Sequence, residues 1–164
     1  LKDYPTFVRA AELLSHDPRF QFISYGGGDS VLEHEIHALA KRLPVNIRFM
    51  GECQEPWKAY NALDILCSTS LSEGFSNSVA EALAVGVPCV VTDVGDLARL
   101  VRGFGGVVKI SDPKSLALAL LRLADRLRVE KAQLSSGAAA HIQQNYTIRQ
   151  LTQRTLEVLE QKTL

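Results

Sequence analysis

The sequence predicts an α/β fold: a doubly wound parallel sheet with helices on both faces and a C-terminal helical tail. Two observations predict it. Apolar positions alternate along the chain between helical spacing and short β-branched runs, and strands that alternate with helical segments build parallel βαβ units. No low-complexity linker or internal repeat breaks the 164 residues, which places one domain over residues 1–164.

The elements follow in order. Phe7, Ala10, Ala11 and Leu14 stand at helical spacing and give way to a turn at Ser15-His16-Asp17-Pro18. Residues 20–25 read as a short strand running into Gly26-Gly27-Gly28. Residues 31–43 form an amphipathic helix, 46–50 a strand, 56–63 a short helix with proline in its first turn, and 65–68 a strand. After a polar loop come a helix over 78–85, a β-branched strand over 89–92, a brief helix over 97–101 and a last strand over 106–110. Asp112-Pro113 supplies an N-cap and a first-turn proline for a helix to about Leu127, and residues 130–144 form another. Thr147-Ile148-Arg149-Gln150 has capping-box spacing for a final helix carrying Leu151, Leu156 and Leu159.

Composition excludes several classes. With 46% hydrophobic and 22% charged residues the chain has the polarity of an ordinary globular domain, long enough to build a core without staples. Cys53, Cys67 and Cys89 are odd in number and widely spaced, which argues against a disulfide scaffold and a zinc module. The longest apolar stretch, near 82–92, is about half of a bilayer span, and no signal or transit peptide is visible. Eighteen basic residues balance eighteen acidic ones, but seven against thirteen lie before residue 99 and eleven against five from it onward. Either the halves intermix in space or the C-terminal helices carry a basic rim. No basic cluster is interleaved with aromatics, so no nucleic-acid partner is expected. His16, His34, His37 and His141 form no catalytic pair and read as surface residues.

In an open parallel sheet ligands bind beyond the carboxyl ends of the strands, which singles out the loops 26–30, 68–78 and 93–96. Gly26, Gly27 and Gly28 allow a close approach of ligand or backbone and open onto a helix N-terminus that favours anions. They lack the third glycine of a dinucleotide fingerprint and the Lys-Ser/Thr of a P-loop, so a plain strand-to-helix turn is as good a reading as a ligand loop. The loop 68–78 is long for a βα connection and rich in hydroxyls, with Glu73 as its one carboxylate. It ends at Asn77 and Ser78, where free backbone N–H groups suit a phosphate, while Glu73 suits sugar hydroxyls. Glu81 has two readings. It lies one turn inside the helix, eight residues after Glu73, yet Ser78-Val79-Ala80-Glu81 is also a capping box that would tie it to the helix N-terminus.

The stretch from Asp64-Ile65 through Ser70-Leu71-Ser72-Glu73-Gly74-Phe75, then Glu81-Ala82-Leu83-Ala84-Val85-Gly86-Val87-Pro88 and Thr92-Asp93-Val94-Gly95, closely resembles the C-terminal domain of group 1, family-4 retaining glycosyltransferases of the GT-B type. Glu73 and Glu81 match that family's E-x7-E motif. A looser match runs from Lys2-Asp3 through Gly26-Gly27-Gly28 and Phe49-Met50-Gly51 to Tyr146-Thr147, so the resemblance spans essentially the whole chain. It implies a Rossmann-like domain that is one half of a two-domain enzyme. Lys2 looks like the family's lysine on the donor diphosphate, and Glu73 is similar to the glutamate that touches the donor sugar; both are implied to be catalytic. Ser70 and backbone around Gly74, Phe75, Ser76, Asn77 and Ser78 would meet sugar and phosphates. Glu81 corresponds to the carboxylate on the ribose hydroxyls, while Gly26, Gly28, Gly51 and Cys53 would complete the donor site, with Gly51 and Cys53 facing the nucleobase.

The implied reaction is retaining transfer of a glycosyl group from a UDP- or GDP-sugar, in polysaccharide, lipopolysaccharide or glycolipid synthesis. It needs no cofactor and no metal. The acceptor, a sugar, lipid or polysaccharide, would come from an N-terminal domain, the location would be cytoplasmic, and any membrane association would be peripheral and belong to the longer enzyme. Thr69, Asp96 and Arg99 depart from the family's usual proline, glycine and glutamate, which bears on donor identity. The family's second diphosphate contact, an arginine, precedes Lys2 by a few residues. The start at Leu1-Lys2-Asp3, without Met, reads as a fragment cut inside its first strand or as a processed terminus. An imperfect sheet at the middle, or a replacement strand, is therefore expected, with weak donor binding and no transfer. A silent nucleotide-binding scaffold and half of a GT-B-type nucleotide-sugar 2-epimerase are the alternatives.

Overall fold

Helix α1 (Tyr4–Leu13) begins where its sequence supplies a cap. Asp3 accepts from the Thr6 N–H at 3.2 Å and from the Thr6 hydroxyl at 2.6 Å, with Pro5 in the first turn. In the computed structural model, which describes residues 2–27 and 30–161, it is followed by β1 (Phe22–Ser24), α2 (Ser30–Arg42), β2 (Ile47–Phe49), α3 (Pro56–Asn61) and β3 (Leu66–Ser68). Then come α4 (Asn77–Ala84), β4 (Cys89–Thr92), α5 (Leu97–Leu100), β5 (Gly105–Val108), α6 (Pro113–Asn145) and α7 (Ile148–Gln161). The expected alternation is present in full. The strands are only three or four residues long, shorter at β1 and β2 than their apolar runs suggest.

All the strand pairs are parallel, with Phe22 opposite Ile47, Cys67 opposite Val90 and Val91 opposite Val107. They make two sheets, β1–β2 and β3–β4–β5, in place of the single sheet of a doubly wound fold. Beyond the end of β3, Lys2 forms an isolated antiparallel bridge with Ser70, and the Asp3 N–H donates to the Thr69 carbonyl at 3.2 Å. Helices cover the break. Phe22 of β1 and Val90 of β4 share one core cluster with Ala10, Ala11 and Leu14 of α1 and Leu116 and Leu120 of α6.

Strand β4 is buried along its whole length, and its side chains alternate between faces as period two requires. Val90 meets the α1 and α6 side, while Cys89 and Val91 join Val79 and Leu83 of α4 and Leu97 and Leu100 of α5 on the other. The two tail helices expected before residue 145 merge into α6, which kinks at Glu130 (φ −130°, ψ 31°). Beyond the kink α6 reaches the opposite face with Ala138 and Ile142. The capping box before α7 forms as expected: Gln150 accepts from the Thr147 N–H at 2.9 Å, and the Thr147 hydroxyl accepts from the Gln150 N–H at 3.4 Å. Among the described residues no helix is long and apolar enough to cross a membrane.

Candidate functional site

The loops that leave β1, β2, β3 and β4 open at the carboxyl edge, where the sequence places its candidates. The loop after β3 is the most firmly held. Glu73 Oε1 accepts from the Ser70 hydroxyl at 2.8 Å and from the Lys2 ammonium, which the chain start brings alongside from 71 residues away. This ammonium, with the Ser70 hydroxyl, holds the Glu73 carboxyl below its ordinary range. Glu73 Oε2 has no hydrogen-bond partner among the described residues. Lys2 is half-exposed, and two of its three N–H donors remain available. Ser70 is fully buried, so its hydroxyl orients Glu73 instead of meeting a ligand.

The backbone of this loop is fixed from β4. The buried Thr92 hydroxyl donates to the Ser70 carbonyl at 2.6 Å, and the Asp96 N–H donates to the Gly74 carbonyl at 3.0 Å. Gly95, between them, has φ +52°, and a Cβ there would stand 2.1 Å from the Glu73 carbonyl oxygen and 2.5 Å from that of Gly74. Only glycine fits so close a crossing. The 93–96 loop, singled out by its place at the sheet edge, is thus a buttress for the loop that carries Glu73.

Helix α4 starts at Asn77, with Ser76 as its N-cap. Ser76 is buried, and its hydroxyl pairs with that of Ser78 at 3.1 Å, so neither side chain caps the helix. The first-turn N–H groups of Asn77 and Ser78 meet the carboxyl edge beside the half-exposed Phe75, whose ring centroid is 5.9 Å from that of Tyr146. The capping-box reading of Glu81 fails, because the N-cap is Ser76, two residues before Ser78, which leaves that serine inside the first turn. Glu81 Oε2 instead accepts from the Tyr60 hydroxyl of α3 at 2.9 Å, and Oε1 has no partner among the described residues. Burial of the Tyr60 ring, then the Glu81 carboxylate, push its hydroxyl up to about 12. Sequence reasoning missed Tyr60. Its signal was one polar-tipped aromatic on the short helix before β3.

At the other end of the edge, the Gly26 N–H donates to the Gly51 carbonyl at 2.8 Å and joins the loops after β1 and β2. A cleft there is lined by Tyr4, Ser24, Gly26, His37, Phe49 and Gly51. Cys53 is half-buried beyond it. Gly28 lies outside the described residues.

Two histidines overturn the surface reading. His37 packs on Phe49 at 4.1 Å between centroids, and His141 lies between Phe104 at 5.7 Å and Tyr146 at 5.6 Å. Each has a buried Nε2. Both follow from faces that pack on aromatic neighbours, which the sequence spacing does not reveal. His16 and His34 are exposed as expected. Among the described residues no three His, Cys, Asp or Glu side chains gather as a metal site.

Against known proteins, the family model described as "Glycosyl transferases group 1" matches residues 1–126. A D-inositol 3-phosphate glycosyltransferase of Streptomyces bingchenggensis is 35% identical over 144 residues, 80% of this chain and 31% of that protein. The lipopolysaccharide core biosynthesis mannosyltransferase LpsB of Rhizobium meliloti is 33% identical over 118 residues, 70% of this chain and 33% of that protein. The chain spans about a third of the length of these curated relatives. Among solved structures, Anabaena HepE in complex with UDP-glucose superposes with a TM-score of 0.80 at 22% identity, covering 94% of this chain and 44% of that one. At that identity the likeness concerns the fold.

Proposed function

The chain belongs to the group 1 glycosyl transferases, and from that premise we propose that it is the donor-binding half of a retaining glycosyltransferase. The observation that carries this reading is the E-x7-E pair at the carboxyl edge. Glu73 and Glu81 each use one carboxylate oxygen on a protein partner and leave the other for a hydroxyl donor. Two well-oriented acceptors suit a sugar at one end of the ligand and a ribose at the other. The same edge carries an ammonium with two N–H donors to spare and the N-terminus of an eight-residue helix, both suited to a diphosphate.

In the proposed reaction the bond from the anomeric carbon to the diphosphate oxygen breaks, and one to an acceptor hydroxyl oxygen forms with the same configuration, the acceptor's proton passing to the departing diphosphate. The nucleoside diphosphate departs with the electron pair. Lys2 and the first turn of α4 stabilise the charge that develops on it, so catalysis here is electrostatic and needs no histidine. Glu73 holds the sugar. Gly51 and Cys53 face the nucleobase and Gly26 completes the donor site, with the loop 74–78 over sugar and phosphates. The acceptor is bound outside this chain, as in an enzyme of which this is one half. That HepE binds UDP-glucose within the same fold supports a UDP-sugar as the first donor to test.

Calorimetry with UDP, GDP and a nucleoside monophosphate tests the reading. The diphosphates should bind more tightly than the monophosphate, and Lys2→Met should remove most of that preference. Equal affinity for mono- and diphosphates, or none for any nucleotide, would refute it.

A further inference from the structure

The Glu81 carboxylate is exposed, on a helix surface, and a solvated glutamate samples several rotamers. Fixing such a side chain costs rotamer entropy when a ligand has to do it. Tyr60 has done it beforehand. Its ring is partly buried: it packs from α3, which lies against α4, onto the second core cluster. That hydroxyl donates to Glu81 Oε2 at 2.9 Å. A phenol has only two side-chain torsions, and a packed ring freezes both, so the donor is rigid.

The pair therefore presents two acceptors side by side: Glu81 Oε1, and the phenol oxygen of Tyr60, which keeps its lone pairs after donating. Two adjacent acceptors complement two adjacent donors, as in the vicinal diol of a ribose. A deoxyribose offers at most one of them. We propose that Tyr60 both orients Glu81 and offers the second acceptor beside it, and so sets the preference of this site for ribonucleotides over deoxyribonucleotides. This rests on the reading of Glu81 as the ribose contact.

The hydroxyl is not needed for the fold, because the packed ring supplies the burial and Phe retains it. Tyr60→Phe therefore isolates the hydrogen bond. NMR titrations of the wild-type chain and Tyr60→Phe, each with UDP and GDP and with their 2′,3′-dideoxy analogues, give the preference as a ratio of two affinities. That ratio does not depend on the fraction of protein folded. Wild-type should favour the ribonucleotide by about tenfold, the scale of one hydrogen bond to a charged group, and Tyr60→Phe should bring the ratio to about twofold. Both proteins should bind the dideoxy analogues alike. An unchanged ratio in Tyr60→Phe overturns the role of Tyr60 while leaving the ribose contact intact. Wild-type binding that ignores the diol overturns the ribose contact itself, and with it this proposal.

Discussion

Gly95→Ala tests whether the candidate site is held in place by the crossing of two loops. A Cβ at this position would lie 2.1 Å from the Glu73 carbonyl oxygen, where real contacts stay beyond 3.0 Å, so one backbone must move by about 0.9 Å. The substitution also forces alanine to φ +52°. Gly103→Ala separates these costs: its φ is +84°, and nothing lies within 4 Å of a Cβ there. Left-handed backbone costs alanine roughly 1–2 kcal/mol, partly offset by a stiffer unfolded chain, which leaves about 1 kcal/mol at Gly103. At Gly95 the clash adds roughly 1–3 kcal/mol, as forced overpacking does, for about 3 kcal/mol in all. Urea unfolding reads both. The shift at Gly95 falls on the carbonyls of Glu73 and Gly74 and breaks the Asp96–Gly74 hydrogen bond, so nucleoside diphosphate affinity should fall about tenfold while Gly103→Ala leaves it unchanged. Equal stability losses in the two variants, or a stable Gly95→Ala with full affinity, would refute the reasoning.

The Glu73 carboxyl titrates below its ordinary range because the Lys2 ammonium and then the Ser70 hydroxyl favour its charged form. A depressed folded value stabilises the protein above the ordinary carboxylate range, and that stability is lost as pH falls through the folded value. The effect should stay under about 1 kcal/mol, since Lys2 is half-exposed. Lys2→Met should raise the Glu73 titration midpoint toward its ordinary value, as followed by carboxyl NMR; no movement would mean that the pair is not formed in solution. Burial pushes the Cys67 thiol up to about 12 and the Cys89 thiol higher still. Cys89, fully buried, should not react with a disulfide reagent at pH 8 until urea unfolds the chain, and its labelling in the native state would contradict the packing around β4.

The order of elements was legible in the sequence because each depends on local signals. Pro56, Asp112-Pro113 and Thr147 mark helix starts that the structure reproduces to within a few residues. The fate of Glu81 was not legible. Ser78 and Glu81 have the spacing of a capping box, but a box also needs its serine at the cap, and the cap of α4 is Ser76, two residues earlier. Tertiary packing of α3 on α4 then supplied Tyr60, 21 residues away, as the partner. His37 and His141 were misread for a related reason: helical periodicity reveals that a face exists, not which aromatic rings will cover it.

The same distinction explains why the candidate site has the form it does. Residues 69–76 lack a regular element, so their own hydrogen bonds cannot fix them, and a loop this rich in small polar residues would be mobile if left alone. Apart from the Ser70–Glu73 hydrogen bond, its anchors come from elsewhere in the chain: Lys2 and Asp3 from before α1, Thr92 from the end of β4, and Gly95 and Asp96 from the turn beyond. Strand β4 is the most buried strand and the centre of its sheet, so what it anchors is tied to the core. Lys2 is tied only through one backbone bridge and an ion pair at the end of a three-residue strand. Loss of Lys2 should therefore cost ligand affinity far more than stability, whereas loss of Gly95 should cost both. The comparison separates a residue that acts on the ligand from one that acts on the loop.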